Sequence, residues 1–520
     1  MKGKWLLLGI IYALAVTMRI YPVFVTPLPY NVDALTDSRA SQYIADHGTL
    51  NYPAGVTFNN YHTPATPLFN AISGAISQLT GVDVLSFIPY IFPLITSISV
   101  IGWYLFTKKV TEREDIALIT ATFLAISGNF VLATASVWKE AIGLAIMPFA
   151  LYSYRKRNLV SIFLLAILPL THHYVALITY LMISYFELYN IYEITKEHRI
   201  LSRWDILWPI IMAILWAYMA TYYYFKHFDR LSSLSPSGEL WLFISLFVLL
   251  SLFILRTYRM SYKKIKTSYI IAIMSIPLIF YVLYFFFPIF PHTMKFNTTT
   301  FMFTVGYIIL LPLISVGMYI LISTRYRRKG EFIGLLMAPL QMVIFFLLRG
   351  FDLMSYTSLG RTSPFLDPAS NFSLGVTTQK FRKNLIAFVI IFIILSTTTP
   401  IAYHTAEAFG GYTFVYPHEI HAAAWIKENF HGENISTDGK LGLIAKDQFD
   451  INGSRNLPYS IQEGFETPNK IWLIGSYWEE GAQMVPMAPI RVNVTKILEE
   501  NSVVFSSGRS FVVLNNTSEI

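Results

Sequence analysis

The sequence predicts an all-α polytopic membrane protein: a helical bundle of roughly 13 spans with a large first external loop, plus a small C-terminal extracytoplasmic α/β domain. Three observations predict it. First, 54% of the 520 residues are hydrophobic and only 13% charged, where soluble domains carry about 25% charge. Second, apolar runs long enough to cross a bilayer recur up to residue 402, and lipid offers no partner to exposed backbone groups, so each run must be helical. A transmembrane barrel would instead show short alternating segments. Third, Lys and Arg gather on alternate connections. The net charge of +8 is therefore read as a bias toward one membrane side, with no nucleic acid partner.

The first span is Trp5–Val25. Lys2 and Lys4 precede it, but no small-residue cleavage site follows before Pro22 and Pro27, so it reads as an uncleaved span. The external loop 26–84 contains a polar island from Pro29 to Pro67 that carries Asp33, Asp37, Asp46, His47 and His62. Spans are then expected at Leu85–Phe106, at Ile116–Val137 with a break at Ser136–Glu140, and at Ala141–Tyr154. Residues 158–192 start and end beside basic clusters, which predicts a hairpin with its tip at Thr171–Tyr174. Further spans are placed near 205–225, 239–255, 268–289, 301–323, 331–348 and Leu385–Ala402. The count closes only if the chain also crosses at about 361–379. That stretch is poorly apolar, and is allowed as a broken or protein-buried helix that lines a cavity.

This threading puts the basic clusters 108–113, 155–157, 196–203, 256–266, 325–329 and 380–383 on one side with the N-terminus. Arg39, Lys139, Lys226, Arg230, Lys295, Arg349 and Arg361 are scattered on the other. The expected orientation is a cytoplasmic N-terminus with the acidic loop outside.

Residues 1–409 form the expected membrane domain. Residues 410–520 lack any span-length apolar run. His418–Phe430 reads as an amphipathic helix with Ile420, Ala424, Trp425 and Phe430 near one face. Lys470–Trp478 and Ser502–Leu514 read as strands, the second a hairpin through Ser507-Gly508. Acceptor sequons at Asn434, Asn452, Asn493, Asn515 and Asn516 suit an extracytoplasmic position, and Asn297 falls in an outside loop. The absence of cysteine excludes disulfides, thiolate metal sites and cysteine nucleophiles.

Candidate chemistry gathers at the outer ends of the spans. Asp33 and Asp37, four apart, share one side of a short helix whose apolar face is Leu35, Tyr43 and Ile44. Such a pair serves as a base with an orienting partner, or binds a divalent cation, or is an N-cap plus a solvated carboxylate. Lys139 and Glu140 sit at a span tip, where snorkelling and helix-dipole roles compete with function. His172 and His173, read as helical neighbours, point about 100° apart and do not readily grip one metal. Arg19 lies late in the first span and Arg361 on the poorly apolar crossing. Arginine in such a setting needs an anionic partner, from the loop aspartates or a lipid phosphate. Phosphate-binding glycine loops and G-x-S-x-G are absent, which argues against soluble nucleotide chemistry.

The layout resembles the GT-C superfamily of polytopic membrane glycosyltransferases, in its archaeal, protein mannosyltransferase-like form dependent on polyprenyl- or dolichyl-phosphate sugars. The resemblance rests on Arg19, on PYNVDALTDSRASQYIADHG as the first external loop, on YHTPATPLFNAISGAISQLTG as its return, on SVWKEAIG as the second loop, and on NSVVFSSGRSFVVL as closing strands. It implies inverting sugar transfer at the external face. Asp33 would be the general base, partnered by Asp37 or Glu140. Arg361, Lys139 or Arg19 would bind the donor phosphate, and His172, His173 and His62 would line the substrate cavity. The usual Asp-Glu pair is Asp33-Ala34 here, and the WWDYG motif of oligosaccharyltransferases is absent. The implied partners are the lipid-phosphate sugar, membrane lipid and an acceptor of unknown class. A divalent metal is compatible but not required. A transporter or flippase, or a polymerase or ligase, of lipid-linked saccharides is the alternative. The near absence of acids inside the spans favours the enzyme.

Overall fold

The computed structural model describes residues 2–52, 65–196, 198, 200, 202–231, 236–259, 267–286, 298–323, 329–350, 353–381, 384–404, 414–483 and 489–515. His62, Lys295, Asn297, Asn516 and parts of the basic clusters at 196–203, 256–266, 325–329 and 380–383 lie outside the described residues.

The helices in chain order are α1 (Lys2–Val25), α2 (Asp33–His47), α3 (Leu68–Thr80), α4 (Val84–Ser97), α5 (Ser99–Thr111), α6 (Glu114–Ile126), α7 (Gly128–Ala135), α8 (Lys139–Arg155) and α9 (Leu159–Thr171). Then come α10 (His173–Lys196), α11 (Arg203–Leu231), α12 (Pro236–Arg259), α13 (Thr267–Phe286), α14 (Thr298–Ser323), α15 (Lys329–Arg349), α16 (Leu353–Lys380) and α17 (Asn384–His404). Every expected span thus carries helix. Among the described residues, seven helical segments are long and apolar enough to cross a bilayer, or eight if α6 and α7 count as one bent span. The remaining expected spans are shorter, bent or more polar. Large apolar residues such as Trp5, Ile10, Ile214, Leu249 and Ile393 stay exposed on these helices, which is the surface lipid covers in a multi-pass membrane protein.

The chain divides into two compact units. One comprises Met1–Arg19, Leu94–Thr134 and Lys139–Ala402; the other comprises Ile20–Pro93, Ala135–Trp138 and Tyr403–Ile520.

The first unit is all helical. Its main core joins α5 to α11, α15 and α16 through Trp103, Tyr180, Tyr185, Trp208 and Phe365. Helix α16 is continuous, not broken, although it contains Pro364 and Pro368. The carbonyl that Pro364 leaves without a helical N–H partner is that of Gly360. It accepts from the Ser363 hydroxyl at 2.7 Å. Burial in protein explains how so polar a segment sits in the bundle: Thr362, Asp367, Asn371, Ser373, Thr377 and Thr378 are all buried. Their hydroxyl and amide groups bond mostly to backbone carbonyls, including Thr377 Oγ1 to Leu313 at 2.8 Å. Close approach depends on small residues: a Cβ on Gly375 would meet Thr120 Oγ1 of α6 at 2.7 Å.

Two expectations are corrected here. The third span breaks at Ser127, with a bend of 63° between α6 and α7, as well as at 136–138. A span interior also holds an acid: Asp367, in the middle of α16, is buried, whereas the buried Glu140 and Glu331 lie in the first turns of α8 and α15.

The second unit centres on a mixed five-stranded sheet of order β2-β1-β3-β7-β6. Its strands are β1 (Ile435–Ser436), β2 (Gly453–Ser454), β3 (Ile471–Gly475), β6 (Ser502–Ser506) and β7 (Ser510–Leu514). Strands β4 (Ala482–Gln483) and β5 (Pro489–Ile490) form a separate pair. β3 is parallel to β1 and antiparallel to β7, with Leu473 opposite Val512. The β6–β7 hairpin is as expected, with Gly508 at φ 92° in the turn. Five helices cover the sheet: α18 (Pro417–Asn429), α19 (Gly439–Phe449), α20 (Leu457–Glu463), α21 (Trp478–Gly481) and α22 (Val494–Glu500). The buried face of α18 is Glu419, Ala422, Ala423 and Ile426, so the expected face is displaced by about one residue. Glu419 explains the shift: it forms a buried ion pair with Lys440 and accepts from Tyr416 N–H at 2.9 Å. Val32 and Leu35 of the first loop belong to this same core. Among the expected glycan acceptors, Asn434 and Asn452 are exposed. Asn515 is buried, with its amide donated to Thr467 at 3.1 Å.

Candidate active site

In the second unit, Asn31 adopts φ 91°, where short polar side chains are tolerated. From there its Oδ1 accepts the Asp33 N–H at 3.0 Å. Asn31 is therefore the residue that caps α2 with its side chain, which frees Asp33 from the N-cap role weighed from sequence. Asp33 is half-buried on the first turn and Asp37 is buried one turn on. Three features fix α2. Thr36 bonds the Asp447 carboxylate, Arg39 donates to the Asp447 carbonyl at 3.1 Å, and Asn70 of α3 donates to the Asp37 carbonyl at 2.8 Å. α3 approaches so closely that a Cβ on Gly74 would lie 2.7 Å from the Ser41 carbonyl. The Tyr52 phenol is pushed well above its usual range, by burial first and then by the Asp37 charge. The turn that precedes Lys139 also belongs to this unit: Val137 N–H donates to the Tyr30 carbonyl at 3.0 Å.

In the first unit, Lys139 and Glu140 open α8, and both are buried. Gly143, three residues on, shares the face of Glu140. A Cβ there would meet Val175 at 2.9 Å, so its absence lets this face lie against the start of α10. The α9–α10 hairpin turns at His172, which is extended at φ −160° and ψ 124°. His172 and His173 are thus not helical neighbours as assumed, and their rings stack with centroids 4.7 Å apart. His172 Nε2 lies 4.0 Å from Glu140 Oε2. Among the described residues, no hydrogen bond reaches either oxygen of the Glu140 carboxyl. α16 closes the cluster: the Tyr174 hydroxyl bonds Thr362, and the neighbouring Arg361 acts electrostatically on both Glu140 and Tyr174. The first unit thus brings Glu140, His172, Tyr174 and Arg361 together. Their partnership crosses three helices and was not legible from spacing.

Arg19 is placed differently. It is buried, donates from Nε to Thr134 Oγ1 at 2.7 Å and from Nη1 to the Ala15 carbonyl at 3.0 Å, and lies over the Phe130 ring. Among the described residues, no group of three His, Asp or Glu side chains is arranged to hold a metal ion. Sequence reasoning missed Asp367. Its signal was an acid between two prolines in a segment that has to lie within the bundle.

No protein-family model matches the chain, and no curated protein matches it. Among solved structures it is similar to ArnT from Cupriavidus metallidurans bound to undecaprenyl phosphate, at 10% identity and a TM-score of 0.35, over 98% of each chain. Similarity at that level carries no argument about the site.

Proposed function

We propose that the protein is a GT-C-type glycosyltransferase that moves a sugar, with inversion, from a polyprenyl-phosphate donor to an acceptor at the extracytoplasmic face. The observation that carries this reading is the buried Glu140 carboxyl with the half-buried Arg361 and His172 beside it. Buried charge of this kind is costly and is kept for function. A departing lipid phosphate needs compensating positive charge, which Arg361 and Lys139 supply. Asp33 keeps the role of base that the resemblance implies, with Asp37 or Glu140 as its partner. Residues 1–409 act as the catalytic part and 410–520 as an extracytoplasmic domain, with the N-terminus cytoplasmic. The asymmetry of basic residues supports that orientation.

The test uses purified protein in proteoliposomes with tritiated dolichyl-phosphate mannose or glucose and a membrane extract as acceptor. Asp33→Asn removes general base catalysis and is expected to lower turnover on the order of 10²- to 10⁴-fold. Arg361→Ala removes a charge-assisted contact and is expected to raise the donor KM about 10- to 100-fold. Unchanged donor KM in Arg361→Ala would remove the phosphate role.

One observation favours a second reading. Asp367 is a buried acid inside the bundle, a position typical of transporters. A flippase would move the labelled lipid across the bilayer without releasing its sugar.

A further inference from the structure

The break between α6 and α7 has no proline to explain it. Ser127 is extended at φ −70° and ψ 111°, and α7 starts afresh at Gly128. A helix start leaves its first N–H groups without intrahelical partners, and within an apolar bundle each must find one in the protein. Here three other helices supply them. Gly128 N–H donates to Thr398 Oγ1 of α17 at 3.0 Å. Asn129 N–H donates to the Tyr307 hydroxyl of α14 at 2.7 Å. Phe130 N–H donates to the Asp367 carboxylate of α16. Asp367 Oδ2 also accepts from Ser127 Oγ at 3.1 Å, and Ser363 Oγ lies 3.0 Å from the Asn129 side-chain amide oxygen. On the other side of the break, Thr399 Oγ1 donates to the Ile126 carbonyl at 2.8 Å. Glycine is needed at 128, because a Cβ would lie 2.5 Å from the Thr398 carbonyl oxygen.

An unbroken helix through 114–135 would satisfy the same backbone groups by itself. The chain instead maintains a buried carboxylate and a hydroxyl from two further helices to hold a bend. The carboxylate also sits at the positive end of the α7 dipole. That bend sets the direction in which α7 runs toward the segment bearing Lys139 and Glu140.

We propose that Asp367 is a positioning residue that caps α7 in trans and so fixes the register of the Lys139–Glu140 segment for sugar transfer. This rests on the reading of Glu140 as part of the reacting site. It also accounts for the buried acid without a transport role, since the Asp367 carboxylate is bonded by backbone and side chains of the break itself.

The experiment combines amide hydrogen exchange with kinetics on the full chain in proteoliposomes, using dolichyl-phosphate mannose as donor. Asp367→Ala is expected to raise exchange in the 127–138 peptide and to leave the sheet at 435–514 unchanged. Tyr307→Phe, which removes one acceptor, is expected to do so more weakly, and it covers the case in which Asp367→Ala does not fold. In kinetics, Asp367→Ala is expected to lower kcat on the order of 10²-fold, as misplacement of a reacting group does, and to raise donor KM through Lys139 on the same segment. Asp367→Asn keeps an acceptor oxygen and is expected to restore both protection and turnover. Wild-type exchange at 127–138 in Asp367→Ala and Tyr307→Phe would overturn the cap. Asp367→Asn as inactive as Asp367→Ala, yet fully protected, would overturn positioning in favour of a direct role for the charge. If wild type transfers no sugar, the functional reading fails while the exchange data still decide the cap.

Discussion

At the scale of single residues, the acids of the loop and the helix that bears them were legible, and their partnerships were not. Asp33 and Asp37 stand out because they sit in a long polar loop, whereas acids elsewhere in the first half fall mostly on short connections near basic residues, and the helix that carries them was readable from its period. The contact of Glu140 with His172 was hidden, because it depends on Gly143 and on an extended His172 that ends one helix before the next begins. Gly143→Ala would overpack that contact. Strain costs about 1–3 kcal/mol, against roughly 1 kcal/mol regained in helix propensity. The expected result is reduced turnover, recovered in Gly143→Ala/Val175→Ala, measured as kcat beside thermal stability in detergent. Full turnover in the single variant would show that the close packing of α8 on α10 is not needed.

At the scale of elements, long apolar runs located the membrane helices, while the break at Ser127, marked locally by the Ser127-Gly128 pair, was not placed. Its cause lies on α14, α16 and α17, far away in sequence. The same holds for α18, where the buried face follows the Lys440–Glu419 pair and not the apolar pattern. One element carries a pH dependence. His418 Nδ1 lies 2.9 Å from Ser510 Oγ of β7. Burial first, and then Lys440, Arg509 and His421, hold its imidazole below the usual value of 6.5 despite Glu419. The unfolded chain thus binds this proton more readily than the folded one, so stability is lost as pH falls below 6.5 toward the lowered value. Melting of the full chain is expected at lower temperature at pH 5 than at pH 7.5. The difference should shrink in His418→Asn; an equal difference would assign the effect elsewhere, for example to the exposed Lys446–Asp450 pair.

At the scale of the whole molecule, composition and the recurrence of span-length apolar runs reached the fold class, because lipid restricts the chain to helices. Sidedness came from basic clusters and is open to direct test. The chain has no native cysteine, so single cysteines report cleanly. Glu433 lies on an exposed turn. Glu433→Cys is expected to react with an impermeant maleimide from outside, and Lys156→Cys only after the inner face is opened; the reverse pattern would invert the topology. The central claim is transfer chemistry, and the most direct measurement follows the fate of a doubly labelled dolichyl-phosphate sugar in sealed proteoliposomes. With a membrane extract as acceptor, wild type is expected to pass the sugar from the lipid phosphate to the acceptor, and Asp33→Asn is not. Intact labelled lipid that appears in the opposite leaflet, with the sugar still attached in both proteins, would contradict it.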